Sequence, residues 1–561
     1  MARDRYGLQR WRAVRQPGTE CSRVEEGGNG SSITRGRVAQ RAPLLTRIGY
    51  SGVSQLFPLL ATFILTPFLI ARLGLDRFGI WSLALVLLAT LTALDGGMIP
   101  SLARFFALYG ARHDRASAGR LLVGSSALFL LLGVLAGVIA LLLGSQIIGL
   151  ASIPRPFQHD AVQAIRFLGP LLALALISDG VTALLQANQR FAPLAAVSAC
   201  SAVGYVVTAM VLVAGGGGFG ALIAALSVRY GVVIVIGLFI GGRHMRLSRP
   251  VMPDVAMRRD IWSFALPMQI SGVVTFVAGE TDALVIALLL PVRYVGLYSV
   301  GYQAAVALRS LPTYAFPPLL TRMTEVFATR GRDGAVAEFR VLGSQWLQAV
   351  LGYGAVATAA VGFGVRAWLG NGFAVSELVA VVLMAGFTLH VGITGMRTCF
   401  VRAVGRPGLE TRYSVVAMII NVVLTVPLAL FFGVTGVVVG TAVGLTGGSL
   451  YFVRLCGSAK LRERTPRPGF ALVVLLVVAL TIISEVPLAA TGWHGLLPLL
   501  LACVPPLTAL ALIANHLRSE GDPGLSTSRR MGDGHSKADR LHVAGRRVCF
   551  AAARLITPVR E

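Results

Sequence analysis

The chain has 561 residues, 55% of them hydrophobic and 13% charged, about half the charged share of an ordinary soluble domain. Its mean hydropathy of +0.74 excludes a soluble enzyme and a soluble binding module. Lys and Arg number 50 against 25 Asp and Glu, but these basic residues sit in tails and short loops, so nucleic acid is not the expected partner.

In chain order, residues 1–43 are polar, Arg-rich and Gly-rich, and read as a disordered cytoplasmic tail without a cleavable secretory signal. Apolar runs of about twenty residues then recur, the length at which a helix crosses the hydrocarbon core. Fourteen spans are predicted, near 44–71, 78–98, 120–144, 161–185, 193–214, 219–241, 261–290, 294–318, 341–366, 375–396, 412–432, 434–455, 468–489 and 494–515. The expected fold is an all-α integral membrane protein. It comprises a six-helix lobe over 44–241, a cytoplasmic linker over 242–260, a second six-helix lobe over 261–456 and two extra transmembrane helices within 457–515. A basic cytoplasmic tail follows over 516–561, in which 541–561 is either a basic amphipathic helix or a solvated coil. The six cysteines (Cys21, Cys200, Cys399, Cys456, Cys503 and Cys549) stand singly, with neither metal nor disulfide spacing.

Orientation follows from the bias of short-loop Lys and Arg toward the cytoplasm. Loops after even-numbered spans carry 23 of them, including Arg104, Arg190, Arg258 and Arg454. Loops after odd-numbered spans carry five: Arg72, Arg77, Arg155, Arg293 and Arg366. Both termini are therefore expected in the cytoplasm.

An internal repeat is legible. FGIWSL at 78–83 is echoed by VGLYSV at 295–300, LLQANQR at 184–190 by FVRAVGR at 400–406, and Gly217-x-x-Gly220 by Gly433-x-x-Gly436. An even number of spans per copy makes this a parallel repeat about an axis along the membrane normal, with two lobes facing each other across a cleft.

Motifs for chemistry are scarce. Lys460 follows Ala459 and Lys537 follows Ser536, so no Walker A Gly-Lys exists. HExxH is absent and the eight histidines are dispersed, so neither metal nor cofactor is expected. The outer loops are too short for the catalytic apparatus of a membrane glycosyltransferase or ligase, the competing enzymatic reading.

What remains is a set of ionisable residues inside spans, where each is expensive to bury and is a functional candidate. Arg229 in span 6 and Arg309 in span 8 are candidate substrate-binding residues. Two guanidiniums facing a cleft would hold a phosphate or pyrophosphate, because their planar fork matches phosphate oxygens and stays charged when desolvated. The structural alternative is that each merely fixes packing through a carbonyl or an acidic neighbour. Glu280 and Asp282 in span 7, two residues apart and on different faces, are candidates for ion coupling. The alternative for Asp282 is an ion pair with Arg293. Asp179 in span 4 is a further coupling candidate, although a structural role beside Arg104 or Arg190 is favoured for it and for Asp95. His390 and Glu485 are read as hydrogen-bonded core groups. Pro58, Pro67, Pro267, Pro312 and Pro317-Pro318 make spans 1, 7 and 8 bendable.

The segment LGLDRFGIWSL at 73–83, LDGGM at 94–98 and Ala103-Arg104 resemble the opening signature of the polysaccharide transporter family. These are oligosaccharide-lipid flippases of the multidrug/oligosaccharidyl-lipid/polysaccharide exporter superfamily. FALPMQISGVVTFVAGETDALVIALLLPVRYVGLYSVGYQ at 264–303 resembles that family's seventh and eighth helices, with Asp282 at its acidic position. The resemblance implies a flippase that moves polyprenyl-pyrophosphate-linked oligosaccharide across a bacterial plasma membrane, coupled to an ion gradient. A polysaccharide polymerase and glycosyltransferases are the implied partners. The near-absence of lysine departs from the family, so arginine must serve in the cavity. The alternatives within the superfamily are a cation-coupled multidrug exporter and a peptidoglycan-precursor flippase.

Overall fold

A computed structural model describes residues 44–457 apart from 94, 96, 97, 112, 113, 151, 152, 188–190, 246–254 and 407. The described residues form thirteen α-helices: α1 (Leu44–Leu73), α2 (Leu75–Ala93), α3 (Met98–Ala111), α4 (Arg115–Leu150), α5 (Gln158–Arg166), α6 (Leu168–Ala187), α7 (Phe191–Ala214), α8 (Gly218–Met245), α9 (Val255–Leu289), α10 (Arg293–Thr313), α11 (Phe316–Leu369), α12 (Ala374–Ala403) and α13 (Gly408–Gly457). No strand occurs among them, and eight of the helices are long and apolar enough to cross a membrane. The expected spans at 468–489 and 494–515, Glu485, Arg190 and both basic tails lie outside the described residues.

Several elements differ from the sequence reading. A short helix, α3, stands between spans 2 and 3; its Leu102 and Phe106 are fully buried. Span 4 is split, because the chain breaks at Phe167 between α5 and α6. Span 9 is the last part of α11, whose first part turns at the left-handed Gly331 (φ 67°) and folds back through the Arg322–Glu338 ion pair at 2.6 Å. Spans 11 and 12 are the two arms of α13, joined at Gly433 (φ 60°). The matching turn between α7 and α8 uses Gly216 (φ 84°), which moves the sequence anchor by one residue from Gly217. Glycine fits both positions because it alone enters this region without a Cβ penalty.

α6 packs against α3, α4 and α8, while α12 packs against α10, α11 and α13. α2 lies on α10. There Gly79 and Gly296, the paired glycines of FGIWSL and VGLYSV, touch each other. A Cβ on Gly79 would collide with the Val292 carbonyl, and one on Gly296 would lie 3.2 Å from Gly79 Cα.

One apolar cluster runs through all these packings, from Leu65 on α1 to Val437 on α13. A second, around Phe339, Phe400 and Phe452, sits under the folded-back part of α11. Large apolar side chains also point outward, including Leu131 and Leu142 on α4, Val211 on α7 and Phe431 on α13. Among ordinary soluble proteins such patches are rare; here they form the surface that meets lipid.

Candidate functional site

The ionisable residues singled out in the sequence fall into three neighbourhoods among the described residues. The first joins α6, α7 and α8. Arg229 on α8 lies 5.7 Å from the Tyr205 ring and 6.0 Å from the Tyr230 ring, within reach of cation–π attraction. Asp179 on α6 is exposed although its neighbours Ser178 and Gly180 are buried. It feels the charges of Arg229 and Asp95 but forms no ion pair with Arg229 among the described contacts. Of the arginines expected beside it, Arg190 lies outside the described residues, and the charge that reaches Asp179 among the described residues is that of Arg229, because α6 packs directly on α8. Asp95 has a structural role, since its carboxylate accepts the Ile99 amide N–H at 2.9 Å and caps α3.

The second neighbourhood joins α10, α12 and α13. Arg309 on α10 is half-buried, with its guanidinium 4.5 Å from the Phe387 ring on α12. No carboxylate pairs with it among the described residues. Four other arginines do have carboxylates: Arg77 pairs with Asp160, Arg322 with Glu338, Arg366 with Glu377 and Arg402 with Glu410. Three of these pairs sit at or near helix ends, and Arg322–Glu338 bridges the Gly331 kink of α11.

One turn beyond Phe387, His390 feels the charge of Arg309. Its Nδ1 is 3.0 Å from Ser449 Oγ, and Ser449 donates its own proton to the Leu445 carbonyl at 2.7 Å. With its own proton on Leu445, Ser449 accepts from His390 when the ring proton is on Nδ1.

The third neighbourhood surrounds Asp282 on α9, which is 2% exposed. Tyr298 Oη donates to its Oδ2 at 3.1 Å, and Thr441 Oγ1 donates to the same oxygen. Asn421 Nδ2 donates to Thr441 at 2.9 Å, and Thr425 donates to Asn421 Oδ1 at 3.3 Å. Such a relay polarises each bond in turn. Among the described contacts Asp282 is held by hydroxyls rather than by Arg293, whose guanidinium lies 5.3 Å from the Tyr294 ring. Glu280 is in α9, and its side chain lies outside the described residues.

Among the described contacts Arg229 and Arg309 have different neighbours, Tyr205, Tyr230 and Asp179 for the one and Phe387 and His390 for the other. Sequence reasoning missed Tyr205, Tyr230, Phe387, Asn421, Thr425 and Thr441. Only for Asn421 and Thr425 was a signal present, an i,i+4 polar pair inside an apolar run.

Helices of this length and apolarity, packed around buried polar groups, define a multi-pass membrane fold. Residues 122–325 match the model of a family described as polysaccharide biosynthesis protein. Among solved structures, the lipid II flippase MurJ in an inward closed conformation is 13% identical, with a TM-score of 0.62 over 84% of this chain and 99% of that one. An inward-facing multidrug resistance MATE transporter of the MOP superfamily is 14% identical, with a TM-score of 0.58 over 73% and 98%. The eukaryotic MATE transporter AtDTX14 is 17% identical, with a TM-score of 0.51 over 77% and 98%. A comparison with curated proteins finds no match. The family match covers residues 122–325, and the solved structures share the fold of the chain.

Proposed function

We propose that the chain flips polyprenyl-pyrophosphate-linked oligosaccharide across a bacterial plasma membrane, as a non-enzymatic transporter with both termini in the cytoplasm. The two six-helix lobes related by a parallel repeat are part of this reading, and the contact between Gly79 and Gly296 supports it. The observation that carries the function is Arg309, a half-buried guanidinium in a membrane helix, held over a π face and lacking a carboxylate partner among the described residues. A permanent positive charge in that setting is costly unless an anion completes it. A pyrophosphate supplies that anion, and the planar guanidinium suits it better than an ammonium would.

Arg229 is the second proposed phosphate contact, moderated by Asp179. For ion coupling we assign Asp282. Its buried carboxylate accepts from the hydroxyls of Tyr298 and Thr441, and a proton or cation taken up there would have to displace or rearrange that relay. Asp179 and Glu280 remain the alternative coupling carboxylates.

Replacing Arg309 and Arg229 by Ala is expected to abolish surface polysaccharide in a strain lacking the native gene, with the protein still present in the membrane. Unchanged polysaccharide would overturn the site assignment. Resistance to amphipathic cationic drugs, conferred without any effect on polysaccharide, would point instead to a multidrug exporter.

A further inference from the structure

Pro67 in α1 and Pro312 in α10 each lack the amide N–H that would bond to the carbonyl four residues earlier. The two carbonyls left over are those of Phe63 and Leu308. Both are claimed by side chains of one helix, α11. Trp368 Nε1–H donates to the Phe63 carbonyl at 3.0 Å, and the Tyr353 hydroxyl donates to the Leu308 carbonyl at 2.6 Å. The Trp368 ring is 1% exposed and also packs on the Phe63 ring, with centroids 4.6 Å apart. Tyr353 and Trp368 are about 22 Å apart along α11 and about 60° apart around it, so one broad face of one helix serves both. α1 and α10 also touch each other, where Thr66 Oγ1 lies 3.4 Å from Gln303 Oε1.

A carbonyl without a partner in hydrocarbon costs far more than one in water. Each proline therefore makes its helix depend on a donor from outside, and here the donor is a single aromatic side chain. We infer that Trp368 and Tyr353 are positioning residues: α11 acts as a strut that fixes the two proline-interrupted helices in the conformation described, and either helix rebends only when its aromatic donor lets go. This rests on the proposed transport cycle for its purpose, but its test needs no substrate and so is separate from the polysaccharide assay.

The test uses the full-length chain, cleared of its six native cysteines, in membrane vesicles. Ala61→Cys on α1 and Ala307→Cys on α10 serve as reporters, since both positions are buried. Trp368→Phe keeps the ring stack and removes only the N–H; Tyr353→Phe removes only the hydroxyl. The labelling rate by N-ethylmaleimide at Ala61→Cys is expected to rise about 2- to 10-fold in Trp368→Phe, the worth of one hydrogen bond. Tyr353→Phe is expected to do the same at Ala307→Cys. Pro67→Ala restores the missing amide, so in that background Trp368→Phe should change labelling less than about twofold, as should Tyr353→Phe in Pro312→Ala. Wild-type labelling in both Phe variants, or equal factors with and without the proline, would overturn the inference.

Discussion

Arg229 and Arg309 are alike in sequence, each one guanidinium in a long apolar run, and unlike in their surroundings. Arg229 has two phenol rings and the charge of Asp179 within its neighbourhood. Arg309 has a phenyl face and the His390 ring in its field, with no carboxylate beside it among the described residues. The difference separates two roles that composition alone merges. A cation with a carboxylate nearby is partly neutralised and responds to the state of that carboxylate. A cation without one is open to an anion from outside the protein.

The sharpest way to break this comparison is Arg309→Ala. It is expected to reduce surface polysaccharide to background at unchanged protein level, with Arg309→Lys restoring part of it, read by polysaccharide immunoblot alongside a membrane-fraction blot. If Arg229→Ala were the more damaging of the two, the roles would be reversed.

Asp282→Asn comes next. It keeps the side-chain shape and removes the charge that Tyr298 and Thr441 hydrogen-bond. Translocation in proteoliposomes should lose its dependence on the imposed ion gradient, while the amount of folded protein falls only modestly. Retained gradient dependence would move the coupling role to Asp179 or Glu280.

A double-mutant cycle of Asp179→Asn with Arg229→Gln sharpens the other side. Their effects on thermal stability in detergent are expected to be non-additive by about 0.5–3 kcal/mol, whereas Arg309→Gln with Asp179→Asn should add simply.

The smallest expected effect concerns a control outside the membrane. Asp114 accepts the Ser117 amide N–H at 3.0 Å at the start of α4. Hydrogen bonds from the Ser117 hydroxyl and amide hold its carboxyl below the usual 3.8. A lowered folded value means that the ionised cap stabilises at neutral pH and that this contribution is lost as pH falls through the folded value. Asp114→Ala should cost about 1 kcal/mol at pH 7 and little in strong acid, measured by thermal unfolding at both pH values.

Much of the fold was legible because a hydrocarbon solvent leaves few choices. About twenty apolar residues in lipid must be helical, and Gly433 announced a turn inside an apolar run because no other residue accepts its backbone so readily. The break at Phe167 and the helix α3 were not legible, since neither changes the hydropathy that identifies a span. At the candidate site, the ionisable residues stood out by their cost. Their partners did not: Tyr205, Phe387 and Thr441 are ordinary residues of membrane helices, and they matter only through which helix lies beside them.

The order of residues by itself determined that this protein lives in a bilayer, that it is helical, and which few charges must be accounted for, because each of these follows from transfer free energies of short segments. Tertiary packing alone decided that Asp179 meets the field of Arg229, that Asp282 is sequestered by Thr441, and that Trp368 and Tyr353 supply the donors that Pro67 and Pro312 lack. The two aromatic donors reach carbonyls 45 and 305 positions away in the chain, and no local pattern encodes which distant donor will meet an unpaired carbonyl.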